Sequence, residues 1–196
     1  MFIAVDGGDG AGKSAQIAYL TQWFQNRGRE VAFFRDPGDT PLGDALRSIL
    51  LARKDLAICP EAETALFMAA RAQLVRDKIR PALATGKIVL VDRFLLSTVV
   101  YQGYAVDGDA ETIWKLGTRL TGGLLPDLTF VLDCPTDVAF GRMNRVRDGF
   151  LRAVADWGRF AVPGKAFVVD ATQAPEAVSA QLVERLKKEA PELADA

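Results

Sequence analysis

Eight consecutive residues, Gly7, Gly8, Asp9, Gly10, Ala11, Gly12, Lys13 and Ser14, set four glycines around one acid and end in a lysine and a hydroxyl. The spacing is G-x-x-x-x-G-K-[ST], and it lies between a short apolar run and a stretch of helical period, the setting in which that pattern has a physical meaning. The glycines let the backbone fold back and turn successive N–H groups inward. A helix starting near Lys13 adds the positive end of its dipole, and Lys13 adds a point charge. Such a loop suits the β and γ phosphates of a nucleoside triphosphate, with the Ser14 hydroxyl directed at Mg²⁺.

Two further places carry acids or bases in telling positions. Residues 87–93, KIVLVDR, form an apolar run that ends in Asp92 and Arg93. An aspartate at the carboxyl end of a neighbouring strand can hold the metal, and the adjacent arginine can clamp a phosphoryl group. Asp133, at the end of residues 128–133, has the same outline. Asp92 is preferred because Arg93 gives its site a second phosphate-directed charge, whereas Asp133 runs into Cys134 and Pro135 and suits a helix cap. Phe67 and Arg71 stand four apart on a predicted helix, so they project from one face. A ring and a guanidinium so placed suit a stacked base with an oxygen at its edge, and equally a core phenylalanine beside a solvated arginine.

The elements that must position these residues are legible as alternation. Apolar, β-branched runs occur at 1–5, 30–34, 87–91, 128–132 and 166–169, and helical periods at 12–26, 41–51, 60–84, 110–120, 135–155 and 175–189. Thr40 before Pro41, and Pro60 before Glu61 and Glu63, are helix starts. Gly28 and Gly86 mark helix ends. The order predicts an α/β fold, a mainly parallel five-stranded sheet with helices on both faces, in a single domain spanning 1–196. With 24 basic and 25 acidic residues the net charge is -1, which provides no broad field for nucleic acid or an anionic membrane. Two distant cysteines, Cys59 and Cys134, and no histidine leave no disulfide framework or zinc set, and both thiols are expected to be buried and free. The first apolar run has no basic leader, and no segment has the length to span a bilayer, so a cytoplasmic location is expected.

Taken together, these residues resemble the thymidylate kinase family of P-loop nucleoside monophosphate kinases. The likeness is carried by GGDGAGKSAQ at 7–16, RDPGDTPLGDALRSILL at 35–51, LFMAARAQL at 66–74, DRFLLSTVVYQG at 92–103 and GGLLPDLTFVLDCP at 122–135. The resemblance implies transfer of the γ-phosphoryl of ATP to dTMP, with Mg²⁺ as cofactor and a homodimer as the working form. It implies that residues 7–15, including Ala11 and Ala15, hold the donor, that Phe67 stacks on thymine and that Arg71 meets its O4 side. Thr98 and Gln102 are then near base and sugar, and Tyr101 crowds the 2′ position. Asp9 is implied to meet the acceptor's sugar hydroxyl and metal-bound water, and Arg35 and Arg93 to hold its phosphate. Asp36 stands where the family commonly has glutamate.

The chain departs from the family in its lid. The family places positive charge over the γ-phosphate with an arginine in the loop or with arginines on a mobile lid, and here the loop position is Gly10. The segment 141–160 is much shorter than the family's lid region. One alignment reads Arg142, Arg145 and Arg147 as a stub of the lid, shortened to about 141–150; a second pairs 145–151 with the helix that follows the lid, so that nearly all of the lid is missing. A stub supplying Arg142 or Arg145 implies a working kinase with a minimal lid. Without such a cation, the alternative is a nucleotide-binding relative with little turnover; separately, because base choice depends on a few pocket contacts, a kinase for another nucleoside monophosphate is a second alternative. The basic cluster also suits a solvated helix face.

Overall fold

The computed structural model describes residues 1–53, 55–135, 141–160 and 163–193, the first three residues of the helix at 141 by their backbone only. Five strands form one parallel sheet: β1 (Phe2–Gly7), β2 (Val31–Arg35), β3 (Ile88–Asp92), β4 (Leu128–Asp133) and β5 (Lys165–Asp170), in the spatial order β2-β3-β1-β4-β5. β1 lies in the centre. The chain leaves it for the β2 side and later returns to build the β4 side, so the connections part above the carboxyl end of β1. In an open parallel sheet that crevice is where ligands bind.

The helices are α1 (Lys13–Gln25), α2 (Pro41–Ala52), α3 (Pro60–Leu74), α4 (Arg80–Ala84), α5 (Leu95–Thr98), α6 (Ala110–Leu120), α7 (Gly141–Ala155) and α8 (Pro175–Glu189). Both faces of the sheet are covered because successive strand residues point to opposite sides. In β1, Ile3 and Val5 pack with Leu20 and Phe24 of α1 and Leu182 of α8, whereas Phe2 and Ala4 pack with Leu74, Val99 and Phe150 on the other face. Phe2 also meets Phe94 edge to face, with ring centroids 5.1 Å apart. The predicted Thr40 cap is present: its side chain accepts a hydrogen bond from the Gly43 N–H at 2.9 Å, and Pro41 occupies the first turn.

Two elements differ from the sequence expectation. The predicted helix 60–84 is a rod interrupted by a π-helical segment at Val75–Ile79, just ahead of Pro81. Proline has no N–H to donate and its ring crowds the carbonyl four residues back, so a widened turn accommodates it. Residues 95–103, which have no helical period, form α5 and a second π-helical segment, Val99–Gly103. Their reading fails because residues 94–100 are all buried, leaving no polar face to give periodicity, and the β-branched Val99 and Val100 suggest a strand. The thiols also differ from expectation: Cys59 is exposed and Cys134 partly so. The part of the predicted helix at 136–140 lies outside the described residues.

Gly117 of α6 permits the close packing of α5. A Cβ built there stands 2.1 Å from Leu95 Cδ1. Gly117→Val is therefore expected to lower stability by about 1–3 kcal/mol through overpacking and to shift the urea midpoint down.

Candidate active site

The glycine loop joins β1 to α1 above the carboxyl end of the sheet. Gly7 has φ 136° and lies so close to β4 that a Cβ would stand 2.6 Å from the Leu132 carbonyl oxygen, so only glycine fits. Gly10 (φ 79°) and Gly12 (φ 83°) take the left-handed region and complete the turn. Lys13 is buried, and its ammonium donates to the carbonyl oxygens of Gly8 at 2.7 Å and Gly7 at 3.3 Å. Burial, and then the neighbouring charge of Arg93, lower its pKa below the ordinary lysine value. Asp9, Gly10, Ser14 and Ala15 are exposed along the loop and the first turn of α1, while Ala11 is buried and Gly8 partly so.

Asp92 ends β3 beside this loop, and its buried Oδ1 has no hydrogen-bond partner. Asp133 instead receives two hydrogen bonds from Arg147, at 2.6 and 2.8 Å. Its carboxylate is thus committed to that arginine. Hard oxygen donors with one vacant acceptor fit Mg²⁺, which commonly takes one or two protein groups together with substrate phosphates and water. Among the described residues no three His, Cys, Asp or Glu side chains gather as a full protein cage.

Arg93 stands between the loop and the rest of the site with φ 65°, a strained value for a residue with a side chain. Its guanidinium donates to the Gly7 carbonyl oxygen at 2.9 Å, to Ser97 Oγ at 3.1 Å and to Asp9 Oδ1 at 2.5 Å. Ser97 in turn donates to Asp6 Oδ1 at 2.5 Å. Asp6 is wholly buried, its other oxygen has no partner, and burial raises its pKa to about 6 against the opposing pull of Ser97, Arg93 and Lys13. Sequence reasoning missed Asp6. The signal was present, an acid ending an apolar strand as Asp92 and Asp133 do, but it merges into the glycine loop.

Beside Arg93 opens a cleft of about 370 Å³ between α3 and α5. Asp9, Phe67, Arg71, Arg93, Thr98, Tyr101 and Gln102 all line it, so the structure brings these predicted residues together. Arg71 is 1% exposed; it donates through Nε to Asp36 at 2.5 Å and through Nη2 to Thr98 Oγ1 at 2.9 Å and the Phe94 carbonyl at 3.2 Å. Nη1 reaches only the weakly accepting Met68 sulfur, at 3.4 Å, which leaves donor capacity for a ligand. Asp36 is equally buried, and desolvation pushes its pKa up despite Arg71. Tyr101 lies under Arg93, 5.3 Å from ring centroid to guanidinium, and burial raises its pKa.

Arg35 is not brought to this cleft. It is exposed, pairs with Asp39 at 3.2 Å and faces a separate shallow depression with Lys78. Its direction follows from the strand: Arg35 ends β2, the edge of the sheet. Arg47 lines the cleft instead, with Nη1 donating to the Pro37 carbonyl at 2.8 Å. No local signal in the sequence marks it; packing decides. Gly43 packs so tightly on Gly38 that a Cβ would stand 2.7 Å from its carbonyl oxygen, and Arg47 is one helical turn beyond on the same face.

The lid candidates divide. The Arg142 side chain lies outside the described residues, Arg145 is exposed, and Arg147 is held by Asp133. Arg147 also lines, with Gly8 and Asp9, a second cavity of about 350 Å³ next to the loop. Val146 and Phe150 of α7 are buried in the main core, Phe150 edge to face with Tyr101 at 6.2 Å.

The buried Asp6 yields a pH prediction. Its native pKa of about 6 exceeds its ordinary 3.8, so the folded state binds more protons between those values and stability falls as pH rises through that window. Asp6→Asn is expected to stabilise the fold at pH 7 by up to about 3 kcal/mol and to flatten the decline between pH 4 and 6. Thermal unfolding of both proteins across that range checks it; parallel curves would contradict it.

A family model described as thymidylate kinase matches residues 5–182. The thymidylate kinase of Kosmotoga olearia is 39% identical over 201 aligned positions, covering 93% of each chain. That of Desulfovibrio desulfuricans is 40% identical, covering 92% of each. A crystal structure of a thymidylate kinase from Ehrlichia chaffeensis superposes with a TM-score of 0.79 at 30% identity, covering 95% of this chain and 98% of that one. The parallel sheet, its glycine loop and this end-to-end similarity identify a P-loop NTPase fold, and the chain belongs to the thymidylate kinase family of phosphotransferases.

Proposed function

We propose that this chain transfers the γ-phosphoryl group of ATP to dTMP, with Mg²⁺, to give ADP and dTDP. One observation carries the reading: the cleft that begins at Asp9 and Arg93, beside the phosphate loop, continues to Phe67 and Arg71 between α3 and α5. Donor and acceptor phosphates are thus led to one place. The loop N–H groups and Lys13 hold the donor phosphates. Ser14 and Asp92 would hold Mg²⁺, which, when bound, neutralises phosphate charge.

On the acceptor side, Arg93 and Arg47 take the phosphate. Arg93 gives up Asp9 readily, since that carboxylate is 79% exposed and an exposed partner contributes little. Asp9, so released, faces the sugar end of the acceptor. Phe67 supplies the stacking face, and the remaining Arg71 donor meets a base carbonyl. Tyr101 stands beside the sugar, where its ring crowds a 2′-hydroxyl. Phosphoryl transfer asks the protein chiefly for alignment and charge neutralisation, and these residues supply both. Gly10 adds no charge, so the γ-phosphate calls for a cation from the shortened lid segment, for which Arg142 and Arg145 are the candidates by sequence. We further read the working form as a cytoplasmic homodimer that binds no nucleic acid. This rests on the family resemblance and, for nucleic acid, on the net charge of -1.

The direct test is ADP formation from MgATP with dTMP or any other nucleoside monophosphate as acceptor. Turnover is expected with dTMP, falling at least ~100-fold in Lys13→Ala; ADP formation indifferent to dTMP would refute the reading. Arg47→Ala is expected to raise KM for dTMP about tenfold or more, the loss of one charge-assisted contact, while Arg35→Ala leaves it within about twofold. The reverse pattern would restore Arg35 to the site.

A further inference from the structure

Glu63 was read in the sequence only as a helix-start residue, yet it lines the acceptor cleft and is partly buried. Its Oε2 accepts a hydrogen bond from Gln102 Nε2 at 3.2 Å, and Gln102 is 7% exposed. Over this cleft α3 is cross-linked twice to the chain at 94–102, which comprises α5 and the π-helical segment that follows it. Arg71 reaches back to Phe94 and Thr98, whereas Glu63, two turns earlier in α3, meets Gln102, farther along the other strand of chain. The two stretches therefore run antiparallel, and Phe67 lies midway between the two links.

We propose that Glu63 sets base selectivity by holding the Gln102 amide so that its carbonyl oxygen, and not its NH₂ group, is presented to the base. A carboxylate only accepts, so it selects the amide orientation in which nitrogen faces Glu63 and oxygen faces away. The inference rests on dTMP being the acceptor and on its base stacking on Phe67. Thymine then offers an acceptor at O4 and a donor at N3–H. These match the free Arg71 donor and the Gln102 oxygen. Cytosine reverses both groups, with an amino donor at C4 and a lone pair at N3, so each would meet its like. Mismatched polar groups in a buried site discriminate far more strongly than a change of shape. Uracil has the same edge as thymine and escapes the penalty.

The π-helical segment Val99–Gly103 contributes the geometry. It displaces Gln102 from the position that a regular α-helix would give it relative to Thr98, which is itself bonded to Arg71. Glu63 touches neither reacting phosphate, so it acts as a positioning residue.

The test is kcat/KM for dTMP, dUMP and dCMP in the wild-type protein, Glu63→Ala, Glu63→Gln and Gln102→Leu. In both Glu63 variants the dTMP to dCMP ratio is expected to fall at least about tenfold, the amide being free to turn and offer NH₂ to cytosine N3. The dTMP to dUMP ratio and KM for ATP should stay unchanged. Adding Glu63→Ala to Gln102→Leu should lower the ratio no further, because the effect passes through Gln102. A structural role alone would depress all three acceptors together and leave the ratios intact, and that result overturns the inference. A wild-type protein that prefers dCMP, or shows no preference, overturns the acceptor reading itself and the inference with it.

Discussion

The site depends on where one guanidinium can stand. Arg93 is fixed by acceptors from two different elements, the Gly7 carbonyl at the head of the phosphate loop and Ser97 on α5, with Asp9 as a third, looser partner. Through those bonds the glycine loop and α5 share one junction. The backbone meets this demand with φ 65° at Arg93, a conformation that persists only where its surroundings enforce it. Behind it, Ser97 is anchored by Asp6 in the centre of the sheet. Loop, cleft and core are therefore one polar chain rather than three separate features.

That chain opposes the fold's own stability. Asp6 and Asp36 are carboxylates with essentially no exposure, each has one oxygen without a partner, and burial raises the pKa of both. Apolar groups would fill those positions at lower free energy. The carboxylates remain where cations must be aimed: Asp6 acts on Arg93 through Ser97, and Asp36 directly on Arg71. The apolar core, with Phe2, Phe94 and Phe150 nearly inaccessible, offsets the expense. A local conflict between stability and polar placement of this kind is what a functional site looks like physically.

Much of this was legible in residue order. The five strands were foreseen within one or two residues at each end because a sheet covered on both faces needs short continuous apolar runs, and the loop was foreseen because few residue types can turn so sharply around phosphate. α5 was not, since a fully buried helix shows no face. Arg35 was named and Arg47 was not, for a similar reason. Both lie in one stretch of the family resemblance, and only the turn at Pro37 and Gly38 with the packing of Gly43 decides which of them reaches the cleft. Partnerships such as Glu63 with Gln102 and Arg147 with Asp133 join residues 39 and 14 apart and have no local trace.

The central claim is that phosphate loop and acceptor cleft form one continuous site meeting at Arg93. A bisubstrate compound, adenosine and thymidine joined through their 5′ positions by a pentaphosphate, tests it most directly. Its inhibition should be competitive against both ATP and dTMP, with an affinity exceeding that of either substrate by at least about 100-fold because one binding event engages both halves. Inhibition competitive against ATP alone, with affinity no better than ATP's, would contradict the account and separate the two sites.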